Sequence, residues 1–475
     1  LQYYQRHIEY LYGFGRGFAA PGLSTIIAAA TDKIAEDDYL QNNTLGVFAQ
    51  QRFGWRDRLF LTAAVRVDNN SAFGADFDFV TYPKAALSWV MNEEPWWAER
   101  APSFLNTFKL RLAYGQSGQQ PASFAALRTF APVPGPNSTP AVTPSTLGNP
   151  NLGPERGEEL EVGFDASLFD ERVGIEFTYY DTHTKDAILL RSVAPSSGFS
   201  GSQWTNAGEI RNTGLEMLVR GNVLNGERLG WDLTLNLATN DNEVIDLGGE
   251  EFIGTGNVRS QVGYPVNAFW VQKIVGAELD ANGRAINLMC ASPKEAGGQP
   301  VPCYENGQLV APRVYVGRPT PTLEGSISST FHLFGRVRLG AMIDFKAGHK
   351  KYNNNERARC AIFLVCHANL FPEQYDPVLI AGYQEGVSVA GAFIQDASFA
   401  KLREVSLSYD LPQAWAARFG ARFAALNVAA RNLHTWTSYK GLDPETYFLS
   451  GTPGYMEQNN LPQLAQFVAS LHVSF

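Results

Sequence analysis

The chain has 475 residues, with 47 acidic against 38 basic side chains and a formal net charge of -9. That acidic excess argues against a general nucleic-acid binder, and the charged fraction of 18% lies below the roughly 25% usual for soluble domains. No stretch reaches eighteen apolar residues, which excludes a transmembrane helix, while glycine (44) and aromatic residues (30 Phe, 19 Tyr, 9 Trp) are frequent.

The chain opens on Leu1-Gln-Tyr-Tyr-Gln-Arg-His7, a segment without the pattern of a signal peptide. Residues 1–41 are expected to hold the end of one strand followed by an extracellular loop. Gly13-Phe-Gly-Arg-Gly17 lacks the strand-then-helix context of a nucleotide-binding turn. From residue 42 a single signature repeats. Leu59, Leu61, Ala63, Val65 and Val67 alternate with Phe60, Thr62, Ala64, Arg66 and Asp68. Leu160, Val162, Phe164, Ala166 and Leu168 alternate with Glu159, Glu161, Gly163, Asp165 and Ser167. The same pattern sets Val173, Ile175, Phe177 and Tyr179 against Glu176 and Thr178, and Trp231, Leu233, Leu235 and Leu237 against Asp232, Thr234 and Asn236. Val337, Leu339, Ala341, Ile343 and Phe345 oppose Arg336, Arg338 and Asp344. The last strand, Phe467 to Phe475, carries Phe467, Ala469, Leu471, Val473 and Phe475 on one side and ends on the aromatic. Period-two alternation means one face meets something apolar and the other meets water.

Strand length and loop parity turn this pattern into an all-β, transmembrane antiparallel β-barrel. About ten residues at roughly 3.3 Å each, tilted about 45°, cover on the order of 23 Å of membrane, close to the apolar band of such barrels. Gly54-Trp-Arg-Asp57, Asp170-Glu-Arg172, Asn225-Gly-Glu-Arg228 and Phe334-Gly-Arg336 are tight turns. Between those hairpins lie long connections, about 40 residues after Gly115, about 25 after Asp181 and about 45 after Lys350, the parity of periplasmic turns and extracellular loops. Two places break the regularity. Met91 to Thr107 is long on the short side, with Trp96 and Trp97 placed like an interfacial girdle. Ala268-Phe-Trp-Val-Gln-Lys-Ile274 either spans or lies in a loop. The count is about 13 to 15 spanning strands; bacterial single-chain barrels have an even number, and further strands are expected upstream.

At this point the residues resemble a known family. Asp396-Ala-Ser-Phe-Ala-Lys-Leu-Arg-Glu-Val-Ser-Leu-Ser-Tyr-Asp-Leu-Pro412 is similar to a late barrel strand of the SusC/RagA-type TonB-dependent transporters. Arg431-Asn-Leu-His-Thr-Trp-Thr-Ser-Tyr-Lys-Gly-Leu-Asp-Pro-Glu445 resembles their penultimate strand and its loop. Leu61-Thr-Ala-Ala-Val-Arg-Val-Asp68 with Ser71-Ala-Phe-Gly74, Gly148-Asn-Pro-Asn-Leu-Gly-Pro-Glu155 and Asn206-Ala-Gly-Glu-Ile-Arg-Asn-Thr-Gly-Leu-Glu216 resemble further segments in the same order. The resemblance implies that residues 42–475 are the C-terminal portion of a barrel of about 22 strands, with a plug domain and a TonB-binding segment outside this chain. It implies import of a bulky oligosaccharide or peptide, TonB as energy-coupling partner through an upstream segment, and a SusD-like surface lipoprotein. It also implies the barrel-insertion machinery as a partner that reads Phe475. A plug-less scaffolding barrel is the alternative. No cofactor and no nucleic acid are expected.

Smaller constellations carry less. Cys290 with Cys303, and Cys360 with Cys366, pair by position as local disulfides in an oxidising compartment; four free thiols or a zinc site compete with that reading. Asp280-Ala-Asn-Gly283 opens like a calcium loop but reads better as an Asx turn. Trp436, Tyr439 and Tyr447 are candidates for stacking against a sugar ring, against an interfacial belt or loop packing. His183, His332 and His472 are isolated polar positions. No catalytic constellation and no metal site are found.

Overall fold

The computed structural model describes every residue except 76–77, 195, 197, 200, 255, 294–296 and 447–454. Among the described residues, fourteen antiparallel strands follow one another through one sheet in chain order. They are β1 (Gln2–Phe18), β2 (Ala29–Trp55), β3 (Leu59–Asn70), β4 (Val80–Val90), β5 (Leu105–Gln119), β6 (Glu155–Leu168) and β7 (Val173–Ser192). The path continues through β8 (Ser202–Asn225), β9 (Leu229–Thr239), β10 (Leu323–Leu333), β11 (Val337–Ala347), β12 (Phe399–Asp410), β13 (Phe423–Thr437) and β14 (Gln466–Ser474). A short fifteenth strand, Asp241–Asp246, pairs with β8 off this path. Each wall strand hydrogen-bonds to its sequence neighbour, so the meander is held by local hairpins alone.

The turns at one end are short for a reason written in the backbone. Arg56 and Asp57 both hold positive φ (52° and 54°), as do Phe334 and Gly335 (53° and 66°). Two consecutive left-handed residues make the type I′ turn, whose twist matches that of the flanking strands. The other end carries the long connections, and it is there that the structure departs from the sequence reading. Residues 1–41, expected as a strand end and a loop, are a paired hairpin: β1 runs seventeen residues and pairs with β2 from Gln2–Gly46 to Phe18–Ala29. Three glycines (Gly13, Gly15, Gly17) and the acidic run Glu36-Asp-Asp38 blur the alternation there. The connection after Asp181 is mostly strand, because β7 continues to Ser192 and β8 begins at Ser202. Ala268–Val271 does not cross with the wall. It is a buried strand of a separate four-stranded sheet in the connection between β9 and β10, and all four of its residues are buried. A spanning strand would expose one face to lipid.

The wall is one sheet thick, and its apolar side chains have nothing packed over them. Leu110, Leu112, Leu160, Val162, Ile327, Leu339, Val405, Leu407, Leu426 and Val428 are all exposed. Near the short-turn end an aromatic ladder crosses this face. Trp89 meets Trp96 (6.4 Å), Trp96 meets Trp97 (5.8 Å), and Trp97 stacks on Phe108 (5.6 Å). Phe108 continues to Phe164 and Phe164 to Phe177, each at 5.5 Å. Rings at this level form the interfacial girdle of a membrane wall, and the short helix Trp97–Arg100 in the 91–104 connection serves to bring Trp96 and Trp97 into it.

Charge on the apolar face is therefore far more damaging than charge on the polar face. Val162→Arg should lower unfolding stability in phospholipid vesicles by about 2–4 kcal/mol. Ser326→Lys, on the opposite face, should change it by less than about 1 kcal/mol. Denaturant titrations of the two variants make the comparison.

Candidate functional site

Two regions concentrate the polar chemistry: the water-facing side of the wall and the assembly of connections at its long-loop end. On the wall, cross-strand register sets opposite charges beside one another. Asp165 of β6 takes Lys109 (3.1 Å) and Arg111 (2.8 Å) of β5. Arg211 of β8 pairs with Asp181 of β7 at 2.6 Å, Arg220 with Glu176 at 2.9 Å, Lys346 of β11 with Glu324 of β10 at 2.9 Å, and Arg431 of β13 with Glu404 of β12 at 2.8 Å. Exposed and half-exposed pairs of this kind add little to stability. Their value is that they keep this face wet. Arg111, Glu176, Glu216, Asn236, Glu324 and Asp344 line a concavity in it.

The sequence motifs converge at the long-loop end. Gly74 donates its backbone N–H to the Leu152 carbonyl at 2.8 Å, and a Cβ on Gly74 would fall 2.0 Å from the Pro150 oxygen. Only glycine permits that approach. Leu152 is fully buried. The Asn206 side chain accepts from the Gly153 N–H (2.7 Å) and donates to the carbonyls of Gly153 (3.0 Å) and Asp186 (2.9 Å). Asn149 donates to the Trp204 carbonyl at 2.9 Å. Three segments distant in sequence are thus one staple along the rim of β3, β6 and β8.

A second convergence joins the two late motifs. Lys401 pairs with Asp443 and Glu445, both at 2.8 Å, and Arg403 pairs with Glu445 (2.6 Å) and Asp344 (2.7 Å). Lys351 donates to the backbone carbonyls of Asp443 and Pro444, each at 3.1 Å, and to that of Thr446. Glu457, with no exposed surface, accepts from the backbone N–H of Leu442 (3.1 Å) and from the Asn355 side chain (2.9 Å). Burial acts against both carboxylates, yet hydrogen bonds from Lys401 and Arg403 hold the carboxyls of Asp443 and Glu445 below the usual range. Burial pushes Lys351 down to about 8 and His349 down to about 4. The cluster ties the 348–398 and 438–465 connections to the wall through β12. Lys351 and Glu457 carry no sequence signal of their own; they are found only once the motifs are seen to touch.

The residues singled out from sequence fall in different places. Cys290 is bonded to Cys303 and Cys360 to Cys366, with Cα atoms 5.0 Å apart in each pair, and all four are buried. The two pairs sit in neighbouring apolar clusters bridged by the helix Pro377–Gln384. Gln384 accepts from the Ala285 N–H (2.8 Å), donates to the Gly283 carbonyl (2.9 Å), and so welds the two connections into one cap. Asp280 forms the Asx turn, accepting from the N–H groups of Asn282 (2.8 Å) and Arg284 (2.9 Å). Trp436 is exposed, edge-on to His434 at 4.7 Å, and opposite Ala400 on the lipid-facing side of β13. Tyr439 is buried beneath Lys351, whose Nζ lies 5.6 Å from its ring centre; burial, with Glu457 beside it, raises its phenol. Neither ring is offered to a sugar: one faces the belt, the other is loop core. Tyr447 lies outside the described residues. Phe475 is 76% exposed at the short-turn end. His183 contacts Glu209 (2.7 Å) and His332 contacts Asp232 (2.7 Å). Among the described residues no group of His, Cys, Asp and Glu side chains could hold a metal.

Comparison with known proteins places this architecture. A sequence profile described as "TonB dependent receptor-like, beta-barrel" matches residues 2–286. TonB-dependent receptor P26 of Formosa agariphila is 29% identical over 448 residues, covering 87% of this chain and 44% of the relative. TonB-dependent receptor SusC of Bacteroides thetaiotaomicron is 24% identical over 470 residues, covering 92% and 44%. The solved structure of the RagAB peptide transporter superposes with a TM-score of 0.83 at 22% identity, over 100% of this chain and 52% of that one. The chain spans about half the length of the curated relatives it matches.

The buried cluster makes the cap acid-sensitive. Because His349 titrates near 4 when folded and near 6.5 when unfolded, the unfolded state binds more protons between those values, so stability is lost as pH falls from about 6.5 toward 4. Depressed Asp443 and Glu445 withdraw their own contribution as pH falls below about 4, the ordinary carboxylate range. Hydrogen-exchange protection factors, corrected for the pH dependence of intrinsic exchange, should therefore fall in residues 348–353 and 438–446 at pH 5 relative to pH 7, while those of the wall strands stay unchanged. His349→Gln should remove the first of the two steps.

Proposed function

The chain belongs to the TonB-dependent receptor family, matching it within the β-barrel, and from that membership we propose that it forms wall and external cap of an outer-membrane importer. Its cargo in this reading is a bulky nutrient of the oligosaccharide or peptide class, delivered to the periplasm. The observation that carries the proposal is the row of large apolar side chains left exposed on one face while the other face is laced with ion pairs. A soluble sheet has no use for such a face; a membrane wall requires it. Relatives named as TonB-dependent receptors across nearly the whole chain support the same reading.

In this proposal the short-turn end with Phe475 is periplasmic and the long-loop end is extracellular. The outer edges of β1 and β14, which pair with no further strand among the described residues, join through additional strands into a wall of about 22. TonB supplies energy through a segment upstream, and a SusD-like surface lipoprotein covers the cap. An apolar loop on that cap favours such a partner: Ile362, Phe363, Leu364 and Val365, pinched between Cys360 and Cys366, are all exposed. The barrel-insertion machinery reads Phe475.

Uptake of labelled oligosaccharides and peptides by cells carrying the full-length protein tests the proposal. Uptake of one class should vanish when TonB is deleted. Transport that persists without TonB overturns the energy-coupled reading, and no transport beside normal membrane levels of the protein favours the scaffolding alternative. Separately, Phe475→Asp should lower the amount of heat-modifiable, membrane-embedded barrel several-fold, and normal levels of that variant would refute the assembly role.

A further inference from the structure

The connection between β9 and β10 contains an arrangement of cations and rings that the wall does not explain. The strand Val258–Gln261 is central in a four-stranded sheet, flanked by Phe252–Ile253 on one side and by Ala268–Val271, then Val314–Gly317, on the other. Arg259 projects from it. Its guanidinium lies 3.9 Å above the Trp270 ring centre and 4.6 Å from that of Phe252. Tyr264 meets Trp270 at 4.7 Å and Tyr315 at 5.2 Å, and Trp270 meets Tyr315 at 5.9 Å, so three rings close one side. Arg313 arrives beside them, donating to the carbonyls of Trp270 (3.1 Å) and Gly256.

An arginine laid on a tryptophan is by itself ordinary packing. Four facts set this one apart. Arg259 Nε is buried without an acceptor among the described residues. The indole N–H of Trp270, a residue only 5% exposed, is buried without one as well. No described carboxylate lies within ion-pair distance of either guanidinium; Glu251 acts on Arg259 only from further away. A second cation has also been brought close to the first. Burial lowers the Arg259 guanidinium, Glu251 opposes that from a distance, and Arg313 adds to it. Two unneutralised cations held together in a folded loop are a cost unless an anion completes them. Access is open, since Arg313, Tyr315 and Phe252 are exposed.

We propose that Arg259 and Arg313, framed by Phe252, Tyr264, Trp270 and Tyr315, form a binding site for a carboxylate group carried by the imported molecule. Stacking fixes the plane of the Arg259 guanidinium and leaves its terminal Nη groups, rather than the buried Nε, to meet the planar carboxylate. The rings provide a flat apolar surface for the adjoining sugar ring or peptide side chain. The proposal rests on the import reading, which it deepens from bulky nutrient to carboxylate-bearing nutrient.

Binding to the purified full-length protein in detergent tests it. Four probes are titrated by calorimetry: a tripeptide with a free C-terminus, its C-terminal amide, a glucuronate-containing disaccharide, and its neutral counterpart. At least one carboxylate probe should bind tenfold or more tightly than its neutral partner, and whichever it is assigns the source of the group. Arg259→Gln and Arg313→Gln should each weaken that probe roughly tenfold or more. Arg313 is exposed, so its variant folds even if loss of Arg259 disturbs the small sheet, and Arg259→Lys retains the stacked charge and should keep part of the affinity. Equal binding of each carboxylate and its neutral partner, or undiminished binding by both Gln variants, overturns the proposal. The assay needs neither TonB nor a membrane potential, so failed uptake in cells and failed carboxylate binding are separate results.

Discussion

A wall one strand thick has no interior. Along the described wall each strand pairs with its neighbours in the meander, and only β8 takes a further short strand, so alternate side chains can be buried only by what lies outside the protein. Lipid is the only solvent that rewards Leu112 and Val162 for standing on an open face, 44% and 45% exposed. At about 25 cal/mol per Å², that face can stabilise the fold only where water is excluded from it. The remaining features follow from this constraint. Backbone groups must pair within the sheet, charges must collect on the opposite face, and the turns at one end must be tight. Whatever cannot satisfy those terms is displaced to the long-loop end.

That end is where the chain builds something like a soluble domain. Two large buried apolar clusters, two disulfides and the helix Pro377–Gln384 lie there, in the connections that follow β9 and β11. The motifs are its fasteners. Gly74, Gly153 and Asn206 staple one arc of the rim, while Lys401, Arg403, Asp443 and Glu445 lock another. Their spacing looks arbitrary along the sequence because their partners lie in other segments. Buried ion pairs of this kind are weak evidence of net stability, but breaking one by removing a partner is expensive. The cap is therefore held in one arrangement above the wall, which a recognition surface needs.

How much of this could be read from the residues depended on the length scale of the contacts. Strands such as β6 and β11 were legible because a two-residue period with charges on one side leaves few alternatives. The hairpin of β1 and β2 was not, since Gly13, Gly15 and Gly17 remove the side chains that would mark a face. Whether Ala268–Val271 spans or lies in a loop stayed open in the sequence because a strand buried on both faces and a lipid-facing one are equally apolar over four residues. Tyr439 and Trp436 lie three residues apart in a segment read as one aromatic group. Yet the bulge near Asn432, at φ 54°, and the end of β13 send them to opposite fates, one into the cap and one to the belt. Arg259 and Arg313 were invisible for the same reason as Glu457: no pattern along the chain announces a contact across fifty residues.

The central claim is that one face of this sheet is solvated by lipid. Nitroxide scanning along β5 in reconstituted membranes tests it most directly. Labels at 108, 110, 112 and 114 should be relaxed by oxygen and shielded from an aqueous nickel chelate, and labels at 109, 111 and 113 should show the reverse. A period-two exchange between the two relaxants is the result this account requires. Nickel accessibility that is uniform along the strand would contradict it.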